Sequence, residues 1–392
     1  MESLLDHHVS IGTIFNLVDA MIQKSKTINA QQDLSPIRCG ANDEIYQSKK
    51  PVLTGVDLES LYCYLLVEEK SRDSETWAIH LFDLQKQQFN PERVIADLGK
   101  GLRGGLQLVY PNTPCDVDHF HILRDLFTLR RSFRNQLKSA VSYHAKLVKK
   151  VERAQQLGRT HKHADKLESA KTQEHTLRDL SGTLDILVNW MHHDILNIAG
   201  SPPEIRGELF NFVLYEFRKL EDKHPTQIKK ICMTLENQRE RLLSFSNRLN
   251  DKFQQIADQF KLPLETIWQC CELQRCKHDG DRYAVRCVPL QLELGDALFY
   301  EIEDAVIAAL NSTARTSSMV ENLNSRLRPY FFLRKEIGHG YLQLLQFYLN
   351  HTPFLRSEYR HRVNKTPAEL LTRDKQKHWL EQLDFQRFKR AA

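Results

Sequence analysis

The sequence contains few cysteines, glycines and prolines, and no long apolar run. Its 392 residues include 8 Cys, 15 Gly and 13 Pro. Scattered cysteines are typical of a reduced, cytoplasmic protein, so we expect neither a disulfide scaffold nor a signal peptide. The lack of a bilayer-length apolar stretch indicates no association with a membrane. At 41% hydrophobic and 27% charged, the chain can bury a core, which argues against general disorder.

Five potential metal ligands lie close together in the sequence, but they lack the spacing of a zinc site. Cys270, Cys271, Cys276, His278 and Cys287 contain no CxxC pair. Because a structural zinc site needs four ligands at regular spacing, we interpret these residues as ordinary thiols and an ordinary histidine.

Charge is unevenly distributed around a formal net value of +5. Residues 124–171 and 315–390 are basic, whereas residues 293–304 are acidic. Basic stretches suit a polyanionic partner, although solvated helix faces have the same composition.

The chain opens with an amphipathic pattern, VSIGTIFNLVDAMIQK over residues 9–24. Apolar residues recur at helical spacing, and Ser10 is suited to capping the start of the helix. Two interpretations remain open. The helix is either a remnant of a helix-turn-helix or an ordinary amphipathic helix.

An alternation of strands and helices follows. PVLTGVDLESLYCYLLVEEK and ETWAIHLF are apolar, β-branched and aromatic, which predicts two or three consecutive strands. RVIADLGKGLRGGL predicts a short strand, an aspartate and a glycine turn, and LRGGLQLVYP predicts a short helix. CDVDHFHIL predicts a further strand. The order strand, strand, strand, helix, strand, helix indicates an α/β fold.

From about residue 126 to residue 294 the pattern is almost wholly helical. Apolar residues over 231–260 repeat at intervals of three and four, which favours a bundle core over a dimer seam. We predict four regions: an N-terminal helical segment over 1–45, the first part of the α/β domain over 46–130, a helical insertion over 131–294, and the completion of the α/β domain over 295–392.

Three carboxylates stand out by position. Asp57 falls in an apolar strand, Asp97 ends the RVIAD strand, and Glu321 lies far downstream in SSMVENLNSRLRPYF. Carboxylates converging from separate elements are suited to Mg²⁺, and two such ions can support phosphodiester chemistry. A local alternative exists for Glu321, because Ser318-Met-Val-Glu321 also fits a helix capping box.

The chain resembles the acidic-triad (DDE) transposases of insertion sequences. The resemblance rests on ANDEIYQSKKPVLTGVDLES, ADLGKGLRGG, CDVDHFH and, most specifically, SSMVENLNSRLRPYFFLRKEIGHGYLQLLQFYLN together with the following segment through HWLEQLDF. It implies a ribonuclease H-like mixed sheet interrupted by a helical insertion, and a triad of Asp57, Asp97 and Glu321. It also implies two Mg²⁺ or Mn²⁺ ions, DNA cleavage and strand transfer, a homodimer or larger assembly on element ends and target DNA, and a location at the nucleoid.

The resemblance also implies residues around the triad. Asp118-His-Phe-His121 resembles the Asp/Cys-x-x-His signature of Mutator-like and hAT-like transposases, which places His119 and His121 near the active site. Asp116 and Asp118 compete with Asp97 as the second ligand, and we favour Asp97. Further residues that we expect to meet phosphates or to hold the carboxylate are Asn322, Asn324, Arg326 and Arg328, and the cations expected to bind DNA are Arg130, Arg131, Arg134, Lys149, Lys150 and Arg326.

Only the helix over residues 9–24 could belong to the DNA-binding region that such transposases carry ahead of the catalytic domain, so we expect a truncated copy with little sequence preference. Two other functions fit the same residues. One is an inactive remnant that binds DNA without cutting it. The other is a helical interaction protein that oligomerises through residues 231–260.

Overall fold

A computed structural model of the chain describes residues 10–97, 99–158, 164–277, 280–313, 318–333, 337–357 and 359–386. The chain divides into two compact units. The first unit joins the part up to Asp118 to the part from Thr316 onward, and the second unit comprises His119–Arg315. The second unit is thus inserted into the first, and it is longer at both ends than the predicted insertion over 131–294.

The helices and strands have the following bounds. The strands are β1 (Cys39–Gln47), β2 (Lys50–Asp57), β3 (Cys63–Glu68), β4 (Arg93–Ala96) and β5 (Cys115–Val117). The helices are α1 (Ile11–Gln31), α2 (Ser74–Gln85), α3 (Lys100–Val109), α4 (His119–Gln156), α5 (Ala164–Asn189), α6 (Pro203–Lys223), α7 (Pro225–Phe260), α8 (Leu264–Leu273), α9 (Asp281–Leu294), α10 (Asp296–Asn311), α11 (Ser318–Leu333), α12 (His339–His351), α13 (Pro367–Thr372) and α14 (Trp379–Gln382).

The first unit contains a five-stranded mixed sheet of order β3-β2-β1-β4-β5. The strands β1, β2 and β3 are antiparallel neighbours, whereas β4 is parallel to β1 and β5 is parallel to β4. A two-residue turn joins β1 to β2, and its first residue, Ser48, has a φ of 57°. The chain therefore has an α/β architecture, as predicted.

Tyr64 lies across two glycines on one face of this sheet. A Cβ atom at Gly40 would lie 2.6 Å from the Tyr64 hydroxyl, and a Cβ atom at Gly55 would lie 2.2 Å from the Tyr64 ring. The hydroxyl donates a hydrogen bond to Asn42 Oδ1 at 2.9 Å. Glycine at these two positions therefore allows the ring to lie flat against β1 and β2.

Helices cover both faces of the sheet. On one face, Trp77 of α2 donates to Glu44 Oε1 at 3.0 Å, and α2 and α3 build a core with the sheet. On the other face, Asn324 of α11 donates to Asp43, the neighbour of Glu44 on β1. Because successive side chains of a strand point to opposite faces, these two contacts identify the two layers. The face that carries Asp43 is therefore the face covered by α11.

The helix α1 begins as the sequence predicts. Ser10 caps α1 by accepting a hydrogen bond from the Thr13 amide at 3.0 Å. The helix continues to Gln31, and Asn29 donates to the backbone oxygen of Gln343 in α12 at 2.9 Å. The second half of α1 is thus held against α12 within the first unit.

The second unit, α4 to α10, is helical. The predicted helix over 231–260 is confirmed as the C-terminal part of α7, and Leu242, Phe245, Leu249 and Phe253 are fully buried on one face. Arg206 of α6 is also buried, and its guanidinium donates to several backbone carbonyls of residues 195–201. These bonds order the connection that precedes α6.

Three strand predictions need correction. ETWAIHLF forms part of α2, because Asp73 caps the helix and Trp77, Leu81 and Leu84 recur at helical spacing on its buried side. CDVDHFHIL has strand structure only over β5 and then enters α4. The polar segment CGANDEIYQ, for which the sequence predicts no strand, is β1, the central strand of the sheet. The predicted strand RVIA and the short helix after it are confirmed as β4 and α3.

Candidate metal centre

Two carboxylates meet in the middle of the sheet. Asn42 of β1 pairs with Ala96 of β4 in parallel register, so Asp43 and Asp97 follow at the same level on neighbouring strands. One carboxylate oxygen of Asp43 lies within 4.8 Å of one of Asp97. Asp43 is only 6% exposed, whereas Asp97 is half-buried.

Asp43 is held by donors from two separate parts of the chain. Its Oδ1 accepts the amide of Glu44 at 2.8 Å, and its Oδ2 accepts Asn324 Nδ2 at 2.8 Å. Asn324 is 3% exposed, and its Oδ1 has no hydrogen-bond partner among the described residues. A buried carbonyl oxygen without a partner is costly, and it marks a place where a further polar group would be stabilised.

Asp97 lies at the start of the glycine turn after β4. Its Oδ1 accepts the amide of Gly99 at 2.8 Å, and its backbone carbonyl accepts Arg103 Nε at 2.8 Å. These contacts fix the carboxylate at the end of its strand, where the chain turns into α3.

The donor set fits a hard divalent cation. Mg²⁺ prefers carboxylate oxygens at about 2.0–2.1 Å, so two oxygens bound to one ion can be at most about 4.2 Å apart. A separation within 4.8 Å reaches that value with small side-chain rotations. The Asp43–Asp97 pair can therefore hold a metal ion.

The structure does not bring Asp57, the predicted first ligand, to Asp97. Asp57 pairs with Gly40, three residues before Asp43 on β1, which corresponds to about 10 Å along the strand and to the opposite face. Its Oδ2 accepts both the amide and the hydroxyl of Ser60, at 2.7 and 2.5 Å. Burial raises the pKa of Asp57, and the Ser60 hydrogen bonds lower it by a smaller amount. Asp57 therefore lies apart from the Asp43–Asp97 pair, and its hydrogen bonds to Ser60 shape the turn after β2.

The predicted residues of α11 lie on a helix that contacts the sheet. Glu321 lies in this helix, one turn before Asn324, but its side chain and that of Ser318 are outside the described part, so neither the ligand nor the capping interpretation is tested. Asn324 contacts Asp43 directly, whereas Asn322 and Arg328 are exposed.

The competing aspartates are engaged differently. Asp116 of β5 forms an ion pair with Arg93 at 3.1 Å. Asp118 is fully buried, and its amide donates to the carbonyl of Ala96 at 3.0 Å. Neither belongs to the group of converging ligand atoms that contains Asp97.

The two predicted histidines begin the second unit. The Nε2 of His119 lies 3.0 Å from the carbonyl of Leu242, and the ring packs edge-on against Phe245 inside that unit. His121 is half-buried in the first turn of α4, next to the ring of Phe120. The expected role of His121 near the carboxylates stays a prediction.

The cations predicted to bind DNA fall into two groups. Some have partners within their own unit: Arg134 pairs with Asp185 at 2.9 Å, and Arg130 donates to Asn189 at 3.1 Å. Arg326 is half-buried, and burial lowers its pKa. Arg131, Lys149 and Lys150 are exposed, and so is the paired Arg134. Their role in DNA binding stays a prediction.

The cysteine group of the second unit is built of buried thiols. Burial raises the pKa of Cys270 to about 12 and that of Cys271 to about 11, which favours the protonated, weakly coordinating form. Cys287 is also buried, and His278 lies outside the described residues. Among the described residues, these cysteines do not form a group of converging metal ligands.

Asp43 is the carboxylate of the candidate metal pair that the sequence analysis did not single out. Its strand reads Asn-Asp-Glu between Ala41 and Ile45, so three consecutive polar residues hide the apolar alternation of a strand. A signal was present. The segment lies directly before a two-residue turn and the apolar strand β2, which is the pattern of a hairpin.

Comparison with known proteins gives no assignment. No protein-family model and no curated protein matches this chain. Among the described residues, no helix combines the length and the apolar character needed to cross a membrane.

Proposed function

We propose that the protein is a metal-dependent DNA transposase whose acidic triad is Asp43, Asp97 and Glu321. The observation that carries this proposal is the pair of carboxylates, Asp43 and Asp97, on neighbouring strands of a mixed sheet. The motif resemblance supplies the substrate class, and three antiparallel strands followed by two parallel ones support the ribonuclease H-like fold that it implies.

The third ligand is assigned from the position of α11. Asn324 reaches Asp43, and Glu321 precedes it by three residues on the same helix. Residues three apart on a helix are neighbours on its surface, which supports the choice of Glu321. We therefore take Glu321, which the motif resemblance also implies, as the third ligand.

The residues of the chain have distinct tasks in this proposal. Asp43, Asp97 and Glu321 would hold two Mg²⁺ or Mn²⁺ ions, which supply activation of a water or 3′-hydroxyl and stabilise the leaving oxygen of the phosphodiester. Asn324 and the Glu44 amide orient Asp43, and Gly99 and Arg103 fix the end of β4 that carries Asp97. Preorganisation of this kind means that only small side-chain rotations are needed for the ligands to receive the ions.

The test compares Asp43→Asn with Asp57→Asn in the full chain. We expect Asp43→Asn and Asp97→Asn to weaken Mn²⁺ binding, followed by electron paramagnetic resonance, by more than about 100-fold, because each removes a charged ligand. Nicking of a plasmid that carries the DNA flanking the coding sequence should be lost together with the metal. Asp57→Asn should retain both Mn²⁺ binding and plasmid nicking.

Three results would count against the proposal. Loss of metal binding in Asp57→Asn but not in Asp43→Asn would restore Asp57 as the ligand. Full cleavage by Glu321→Gln would remove Glu321 from the triad. DNA binding by a wild-type chain that loads Mn²⁺ but never cuts would favour the inactive remnant.

A further inference from the structure

Residues 354–357 and 359–365 belong to a loop at the surface of the first unit, here called the basic loop. Its ends are joined by two backbone hydrogen bonds, from the Phe354 amide to the Lys365 carbonyl at 2.9 Å and from the Asn364 amide to the Phe354 carbonyl at 2.8 Å. A β-bridge between Phe354 and Val363 lies beside them. The loop is thus a compact unit rather than a loose connection.

One buried arginine fastens the basic loop to the sheet. Arg362 is 8% exposed and donates to the carbonyl of Glu59 at 2.9 Å, in the turn that the Asp57–Ser60 hydrogen bonds shape. Its guanidinium also lies 4.5 Å from the centre of the Tyr359 ring. Asp57 therefore supports the turn on which the basic loop is anchored, although it does not belong to the carboxylate pair.

The anchored loop presents cations and apolar side chains to solvent. Leu355 is 82% exposed and Tyr359 is 38% exposed. The exposed basic residues of the loop are Arg356, Arg360, His361 and Lys365. Arginine side chains held on a fixed backbone are suited to bidentate contacts with phosphate.

We propose that the basic loop is a DNA-binding surface. Arg356 and Arg360 would contact backbone phosphates, and Leu355 would reach the base edges as an apolar wedge. A lipid surface fits less well, because membrane-binding segments need a broad apolar face and the loop offers one strongly exposed aliphatic side chain.

The proposal is independent of the phosphodiester chemistry, because DNA binding can be measured without metal. The probe is a fluorescent 30-base-pair duplex titrated with the full chain in EDTA, over a series of salt concentrations. We compare Arg356→Gln/Arg360→Gln with Lys70→Gln/Lys86→Gln, a pair of exposed cations on other elements of the same unit.

Each lost phosphate contact lowers the slope of log binding constant against log salt concentration by about 0.9, and it weakens binding about fivefold at 0.15 M salt. The arginine pair should therefore bind about 25-fold more weakly, with a slope lower by about 1.8, and the lysine pair should bind like the wild type. Leu355→Ala should weaken binding without changing the slope.

Equal binding by the arginine and lysine variants, or a wild-type chain that binds no duplex, overturns the proposal. The proposal is also overturned if the arginine variant loses binding to anionic vesicles but keeps binding to DNA. The expected pattern is weaker duplex binding by the arginine pair and wild-type binding by the lysine pair. If DNA cleavage fails while this pattern holds, only the catalytic proposal is lost.

Discussion

The hydrogen bond from Asn324 to Asp43 allows a sharp test of the candidate site through Asn324→Leu. The substitution keeps the size of the side chain but removes the Nδ2 donor that lies 2.8 Å from Asp43 Oδ2. Asp43 accepts hydrogen bonds from Asn324 Nδ2 and from the Glu44 backbone amide, and the variant keeps only the second of these. A buried hydrogen bond to a charged group contributes about 1.5–3 kcal/mol, so the unfolding free energy should fall by roughly that amount.

The same change should weaken the metal site. A partner that orients a ligand typically accounts for about 10–100-fold of metal affinity, so the Kd for Mn²⁺ should rise within that range. Calorimetric titration of the folded variant measures the Kd, and urea unfolding measures the stability separately. The matched control is Asn322→Leu, because Asn322 is an exposed asparagine two residues away on α11.

The stability and affinity effects need not appear together, and their separation is informative. If Asn324→Leu unfolds more easily but binds Mn²⁺ like the wild type, Asn324 serves packing alone and the site does not include Asp43. If Asn322→Leu weakens metal binding as much as Asn324→Leu does, the effect comes from α11 as a whole.

Two further predictions concern the scaffold of the first unit. Because burial raises the pKa of Asp57 above 3.8, its ionisation opposes folding, and its contribution to stability falls as the pH rises from 3.8 through the raised pKa. Asp57→Asn should remove that pH dependence in urea unfolding, and an unchanged pH dependence in this variant would contradict the prediction. Asp57→Ala should lower the unfolding free energy by about 1–3 kcal/mol for each Ser60 donor left without an acceptor. Gly101→Ala should destabilise the first unit by about 1–3 kcal/mol, because the new Cβ would lie 1.9 Å from the carbonyl oxygen of Arg72. Gly182→Ala, with open space around the new Cβ, should instead stabilise α5 by about 1 kcal/mol, and equal thermal shifts in the two alanine variants would refute the steric reasoning.

Some elements could be predicted from local sequence because their own residues determine them. The strand β4 is a short apolar run that ends at Asp97 and a glycine turn, and the structure has this arrangement. The helix α7 repeats apolar residues at intervals of three and four over residues 231–260, and this period is visible without knowledge of the neighbouring helices. Both predictions rest on patterns that lie within a few residues of one another.

The strand β1 could not be predicted because its polar residues find their partners far away in the sequence. Asn42 accepts Tyr64, Glu44 accepts Trp77, and Asp43 accepts Asn324, which is 281 residues distant. Local sequence shows only a polar segment, since the groups that satisfy these side chains arrive through tertiary structure. The strand prediction for ETWAIHLF was wrong for a related reason. A short apolar run is compatible with both the two-residue period of a strand and the 3.6-residue period of a helix.

The comparison of Asp43 with Asp57 shows why burial alone does not identify a candidate metal ligand. Both are nearly buried, at 6% and 3% exposure. Asp57 is satisfied by Ser60, three residues away, so its environment is complete without a ligand. Asp43 lies within 4.8 Å of a second carboxylate, so two ionised side chains at these positions repel each other. A divalent cation would convert that repulsion into attraction. The sheet register therefore creates at Asp43 and Asp97 a cost that a bound metal ion relieves, and it creates no such cost at Asp57.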